Sequence, residues 1–320
     1  MKKPLTATLK QALTALLLTA VTFAAHAQGE PQVLSAVTVN AHPQKQPQIQ
    51  EISVRAPDNV RVDGKMNEWA SPYLAPSKTE GYLQAYNSSS RIYYTVANDD
   101  NNLYFVIRGL GGGVSQKFIS GGLTITISRA TDKKREKAKD NVVLTFPIAQ
   151  DEKTTTLVMN SIGTAGSYVD MDSVKFRRQI DSVNVISNKL ITDAMKEIRV
   201  AGIKEITDST VSIYNTEGIK AAIKFIKRQP IVEFAIPLKY LGLSVENPVK
   251  FSYNIWAGAV PEPKQQRQDV AVGVVYAPPV IMSGGGGGMM PPPSMPVNNN
   301  AGFLFNPTDF WGIYTLAKKP

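Results

Sequence analysis

From Ile52 onward the apolar residues of this chain tend to recur at every second position, and that rhythm constrains the fold more than any other feature. Side chains of a strand point alternately to opposite faces, so the pattern describes strands with one face buried. Strands are expected at 52–55, 60–62, 81–86, 91–97, 103–108, 123–128, 142–147, 154–159, 211–214, 221–226, 231–236, 251–257 and 270–276. Val, Ile, Thr, Tyr and Phe dominate these stretches, and Gly, Pro, Asn or Asp separate most of them. No alternation of strand and helix runs through the series, so the pattern predicts an antiparallel sandwich rather than a parallel sheet. One helix is expected at 188–200, where Ile191, Ala194, Met195 and Ile198 fall on one face and Gly202 stops it. A short helical turn is expected at 238–241, after Pro237.

The first 27 residues read as a signal peptide. Lys2 and Lys3 precede an apolar run at 12–25, and Ala25-His26-Ala27 gives the small-residue cleavage pattern. A secreted or periplasmic protein, cleaved after Ala27, is therefore expected. Residues 28–52, rich in Gln and Pro, read as a flexible linker, which leaves 53–320 for the folded domain. The chain has no cysteine, so an apolar core must supply stability without disulfides. Its two histidines are His26, in the leader, and His42, in the linker. Histidine-assisted nucleophilic triads and multi-histidine metal sites are thereby excluded. After the leader, 32 basic residues stand against 26 acidic ones. That modest excess suits solubility in general and an anionic polysaccharide or envelope surface in particular; nucleic acid is a poor partner for a secreted chain.

Four separated motifs occur in a fixed order. Val60-Arg61-Val62-Asp63-Gly64-Lys65-Met66-Asn67-Glu68-Trp69 reads as a strand, a tight turn and a tryptophan falling back onto the strand's neighbours. Val96 to Phe105 follows as strand, polar turn and a second strand beginning Leu103-Tyr104. Val232 to Leu238 is a strand ending at Pro237, with Leu241-Gly242-Leu243 behind it, and Asp309-Phe310-Trp311-Gly312-Ile313-Tyr314-Thr315-Leu316 makes a closing strand. This ordered set resembles the family 9 carbohydrate-binding modules over about residues 60–320. The resemblance implies a jelly-roll sandwich, a structural calcium ion, a sugar site built on a pair of tryptophans, and secreted proteins that work near polysaccharide, commonly with glycoside hydrolases. The expected class is thus mainly β: an antiparallel jelly-roll or immunoglobulin-like β-sandwich with one inserted helix and a long Gly/Pro-rich loop at 283–300.

Of the three tryptophans, Trp256 shares a strand face with Asn254 and is the best candidate for an exposed platform on which pyranose rings stack. Trp69 belongs to the motif but its place after a turn also suits a core plug, and Trp311, on the same face as Ile313, is expected to be buried. The tyrosine cluster, with Tyr86 and Tyr94 foremost, is the candidate second aromatic face. The turn at 98–102 carries oxygen-bearing side chains throughout, so Asn98, Asp99 and Asp100 are the candidate calcium ligands; the same residues also make good hairpin turns. The charge run 129–140 reads either as a solvated connection or as a polyanion-binding finger. The predicted function is non-catalytic binding of polysaccharide or cell-envelope glycan. A structural or assembly protein of the envelope that has lost its sugar site is the alternative. A glycosidase running on carboxylates such as Glu233 is least favoured.

Overall fold

The computed structural model describes residues 46–69, 83–148, 151–163, 174–262 and 300–319. The signal peptide, most of the linker, the strand expected at 270–276 and the Gly/Pro-rich loop up to residue 299 lie outside the described residues. All the described residues fall within one unit, Lys45–Pro320.

The strands of the described residues form two antiparallel sheets. The first runs in the order β1 (Ala85–Asn87), β2 (Ile92–Asn98), β3 (Asn102–Gly109), β9 (Gln229–Pro237) and β8 (Lys220–Ile226). The second runs β11 (Thr308–Thr315), β10 (Lys250–Ala257), β4 (Leu123–Ser128), β5 (Val142–Thr145), β6 (Glu197–Ala201) and β7 (Thr210–Ser212). Alternate residues of each strand turn inward, and the two inner faces meet through aromatic rings. Phe105 of β3 meets Tyr253 of β10 edge-on at 5.9 Å between ring centres, Tyr94 lies 5.0 Å from Phe310, and Phe146 lies 6.4 Å from Phe234. Ring pairs in these orientations add to the area they bury, which is how a sandwich without disulfides is held. The predicted mainly β sandwich is the observed class.

A third layer covers the outer face of the first sheet. Val54 and Trp69 pack there against Leu83, Ala97, Tyr104, Val106 and Ala235, with Val60, Val62 and Met66 alongside. The stretches expected as strands at 52–55 and 60–62 therefore fold without a ladder, apart from the single bridge between Arg55 and Asn98. Residues 46–52, expected in the linker, belong to the fold. Gln50 is buried against the exposed edge of β2, where its side chain donates to Val96 O at 2.8 Å and accepts from Val96 N at 2.7 Å. An unpaired strand edge invites association, and this segment satisfies it internally.

Two further expectations are corrected. The stretch 154–159 is helical, within the helix Glu152–Gly163. Asp151 caps it, accepting from Thr154 N at 2.9 Å and from the Thr154 hydroxyl at 2.7 Å, and Val158 and Ile162 bury at helical spacing. The helix expected at 188–200 is instead Val174–Ala194, followed by β6, so two long helices are inserted rather than one. Ile191, Met195 and Ile198 satisfy a helical spacing, but Ile198 and Val200 also satisfy a strand's, and pairing with β5 and β7 decides in favour of the strand. The second helix docks on the edge of the first sheet: Asn188 donates to Phe225 O at 3.0 Å and accepts from Phe225 N at 2.7 Å. The turn expected at 238–241 is the short helix Leu238–Leu241, closed by Gly242 in the left-handed region. No helix among the described residues is long and apolar enough to cross a membrane.

Candidate functional site

The Asp63-Gly64 turn is held from beneath by a carboxylate 169 residues further along the chain from Gly64. Glu233 Oε2, on the outer face of β9, accepts from Asp63 N at 2.9 Å and Gly64 N at 2.8 Å. Gly64 adopts φ +76°, and a Cβ there would lie 2.8 Å from the backbone N of Lys224, so both its conformation and its space require glycine. Glu233 is 1% exposed and its Oε1 has no hydrogen-bond partner. Burial pushes its carboxyl up to about 7; the two N–H donors act in the opposite direction, and the nearby Asp63 and Glu68 charges add to the rise. Such a carboxyl binds a turn and is closed to substrate.

Trp69 completes this corner. It is 1% exposed, its ring 5.9 Å from the ring of Tyr104 in an edge-on arrangement. Of the two readings for Trp69, the core plug is the one the fold adopts. Tyr94 is fully buried between the sheets, its hydroxyl 3.0 Å from that of Tyr253 and accepting from Gln50 N at 2.9 Å. Burial raises the Tyr94 phenol above its ordinary value, against the pull of these two bonds. Neither ring offers a face to a sugar. Tyr86 is half-buried and stacks on Tyr93 at 4.4 Å, so one of its faces is already occupied.

The candidate calcium ligands are drawn together in the β2–β3 turn, but on internal partners. Asp99 Oδ1 accepts from Asn101 N at 2.7 Å and Asn102 N at 2.6 Å, while Oδ2 accepts from the Tyr104 hydroxyl at 2.6 Å. Burial alone would raise the Asp99 carboxyl; the Tyr104 hydroxyl and the two N–H groups together bring it below its ordinary value. Asn98 is buried, donating to Ala317 O and accepting from Ala317 N, and Asp100 pairs with Arg55 at 2.8 Å. Among the described residues no group of three or more His, Cys, Asp or Glu is placed to hold a metal ion.

A different surface gathers aromatic and polar groups. The outer face of the second sheet carries Ser252, Asn254 and Trp256 of β10. Register places Asp309 beside Trp256 on one side and Thr124 on the other, with Thr145 and Arg199 continuing the row. The adjacent row is Trp311, Asn254, Thr126 and Val143. Trp256 and Trp311 are thus diagonal neighbours on one face, at a spacing of roughly 7–8 Å between the positions. Both are half-buried, as are the three threonines, and Arg199 and Asp309 are exposed. Asn254 Nδ2 donates to Asp309 Oδ2 and to Phe310 O, each at 3.0 Å, which fixes the amide between the two indoles. Towards the other end, Ser128 and Ser252 are buried.

Trp256 lies half-buried on the outer face with Asn254, and Trp311, expected to be buried, is half-buried on the same face. Sharing a face with Ile313 was the reason to expect burial, but Ile313 is 46% exposed and that face points outward. The inward residues of β11 are Phe310, Gly312 and Tyr314, continued by Leu316 just beyond the strand, which gives the alternation its opposite phase. The threonines at 124, 126 and 145 carried a readable signal, since alternate Thr in an otherwise apolar strand marks its wet face. Arg199 carried none. No family model matches the sequence, and no curated protein matches it either.

Proposed function

We propose that the protein is a non-catalytic carbohydrate-binding β-sandwich of the family 9 kind, working outside the cytoplasm after loss of residues 1–27, with its sugar site on the outer face of the second sheet. The observation that carries this reading is the pair Trp256 and Trp311 on one face, with Asn254, Asp309 and a row of threonine hydroxyls between and beside them. Pyranose rings present apolar C–H faces and equatorial hydroxyls. Indoles take the first, and amide, carboxylate and hydroxyl groups take the second. Two diagonal indoles suit a chain of sugars rather than a single one. Polysaccharide or envelope glycan is accordingly the partner, and glycoside hydrolases are proteins this one would assist by holding their substrate.

A second reading, an envelope assembly protein, has one observation in its favour. The two inserted helices leave Leu157, Val185 and Ile186 more than half exposed, an apolar surface of the sort that meets other proteins. Affinity electrophoresis through gels containing soluble polysaccharides separates the two. Retardation in at least one gel, abolished by Trp256→Ala together with Trp311→Ala, supports glycan binding. Unretarded migration in every gel, with concentration-dependent self- or hetero-association instead, favours the assembly role.

A further inference from the structure

The charge run 129–140 is the connection between β4 and β5, and it is a shaped element. Asp132 Oδ1 accepts from Lys134 N at 2.9 Å and caps the short 3₁₀ turn Lys133–Lys137. The Arg129–Asp140 pair at 3.1 Å and the bond from Asn141 Nδ2 to Arg135 O at 2.7 Å close its base. The finger folds back over the outer face of the second sheet, where the Arg135 guanidinium stands 4.9 Å from the ring centre of Trp311. Lys133, Lys134, Lys137 and Lys139 remain exposed around it. The acidic residues of the finger are Asp132, Glu136 and Asp140; two of these are engaged by the cap and the base pair. On the sheet itself, Arg199 lies in the same cross-strand row as the acidic Asp309 but with three strands between them, Asp309 is already bonded to Asn254, and Glu197 lies further along β6.

Resting on the carbohydrate reading of this face, we propose that its ligand is an acidic polysaccharide, one bearing uronate carboxylates or sulfate esters. The sugar rings stack on Trp256 and run past Trp311, whose ring the Arg135 guanidinium covers, and the Lys133–Lys139 finger reads the charges. Three features point the same way. The Arg135 guanidinium covers one face of the Trp311 ring, which holds its N–H donors beside Trp256. Guanidinium groups take carboxylate and sulfate oxygens through paired donors, which neutral sugars cannot reciprocate. The finger's six basic residues, Arg129, Lys133, Lys134, Arg135, Lys137 and Lys139, outnumber its three acidic ones, so charge complementarity selects the class.

The test measures binding of the full mature chain to a galacturonate hexamer, to cellohexaose and to poly-glutamate, by calorimetry. The variants are Arg135→Gln, Lys133→Gln with Lys134→Gln, and Trp256→Ala with Trp311→Ala. The two lysines are exposed, so the double lysine variant keeps the platform even where Arg135→Gln disturbs it. The proposal expects galacturonate binding that weakens about tenfold in either finger variant, the size of one lost charged hydrogen bond. It also expects that binding to fall between about 0.05 M and about 0.5 M salt, and to vanish in the tryptophan pair variant. Cellohexaose bound as tightly as galacturonate, with both finger variants indifferent, overturns the acidic specificity and leaves the glycan reading standing. Poly-glutamate bound as tightly as galacturonate, with the tryptophan variant indifferent, shows charge attraction without a sugar site and also overturns it. No binding to either sugar removes the glycan reading along with it.

Discussion

Replacing Glu233 by Gln should abolish a pH dependence of stability that the wild-type protein carries between about pH 4.5 and pH 7. The carboxyl stands at about 7 in the fold against an ordinary value of 4.5, with burial as the leading cause. A folded value above the unfolded one means that the native state binds the extra proton within that window. The contribution to stability is then fully present below about 4.5 and is lost as pH rises through about 7. A difference of this size corresponds to at most about 3 kcal/mol, at 1.36 kcal/mol for each pH unit. Gln cannot ionise, yet its carbonyl oxygen can still accept from Asp63 N and Gly64 N. Urea unfolding of both proteins at intervals from pH 4.5 to pH 8 provides the comparison, because other titrating groups cancel in the difference. The wild type should lose up to about 3 kcal/mol relative to Glu233→Gln across the window. A difference that stays constant with pH would refute the account of Glu233 as a desolvated carboxyl beneath the turn.

Other perturbations separate scaffold from surface. Trp69→Ala should cost about 3–5 kcal/mol in unfolding experiments, because a fully buried ring leaves a cavity against Tyr104, Ala97 and Ala235. Trp256→Ala, on the half-buried outer face, should leave the urea midpoint nearly in place while removing glycan retardation; equal losses for the two tryptophans would contradict their assignment to different layers. Gly64→Ala should destabilise by more than about 1 kcal/mol, since it strains a left-handed residue and drives a methyl against the Lys224 backbone. Lys117 reaches Phe303 O, Asn306 O and Thr308 Oγ1 at 3.1, 2.7 and 3.1 Å. Lys117→Met should therefore speed proteolysis within 303–308, and an unchanged cleavage rate would show that these bonds do not anchor that segment.

Local pattern carried most of the sheets. β2, β3, β4, β8, β9 and β10 fall within two residues of their expected bounds, because each is a short run rich in β-branched and aromatic residues. Where the local signal was double, it misled. Thr154-Thr155-Thr156 favours a strand by composition, yet the Asp151 cap and the 158/162 spacing decide for a helix. Ile198 fits both periods, and only its pairing partners distinguish them. The most important contact in the molecule's first motif was invisible for a different reason. Asp63-Gly64 and Glu233 each stood out alone, but nothing local says that a strand carboxylate will close a turn 170 residues away from Asp63. The burial expected of Trp311 fails because its apolar neighbour Ile313 is no mark of the interior: exposed isoleucines on an outer sheet face are ordinary.

The central claim, a sugar platform on Trp256 and Trp311 with Trp69 uninvolved, is tested most directly by tryptophan fluorescence. Two variants suffice: one retaining only Trp69 through Trp256→Phe and Trp311→Phe, the other retaining the outer pair through Trp69→Phe. Each is titrated with oligosaccharides, neutral and acidic. The account predicts a saturable shift in the emission of the outer-pair protein and a flat response from Trp69. A sugar-dependent response confined to Trp69, or none from the outer pair with any oligosaccharide, would contradict it.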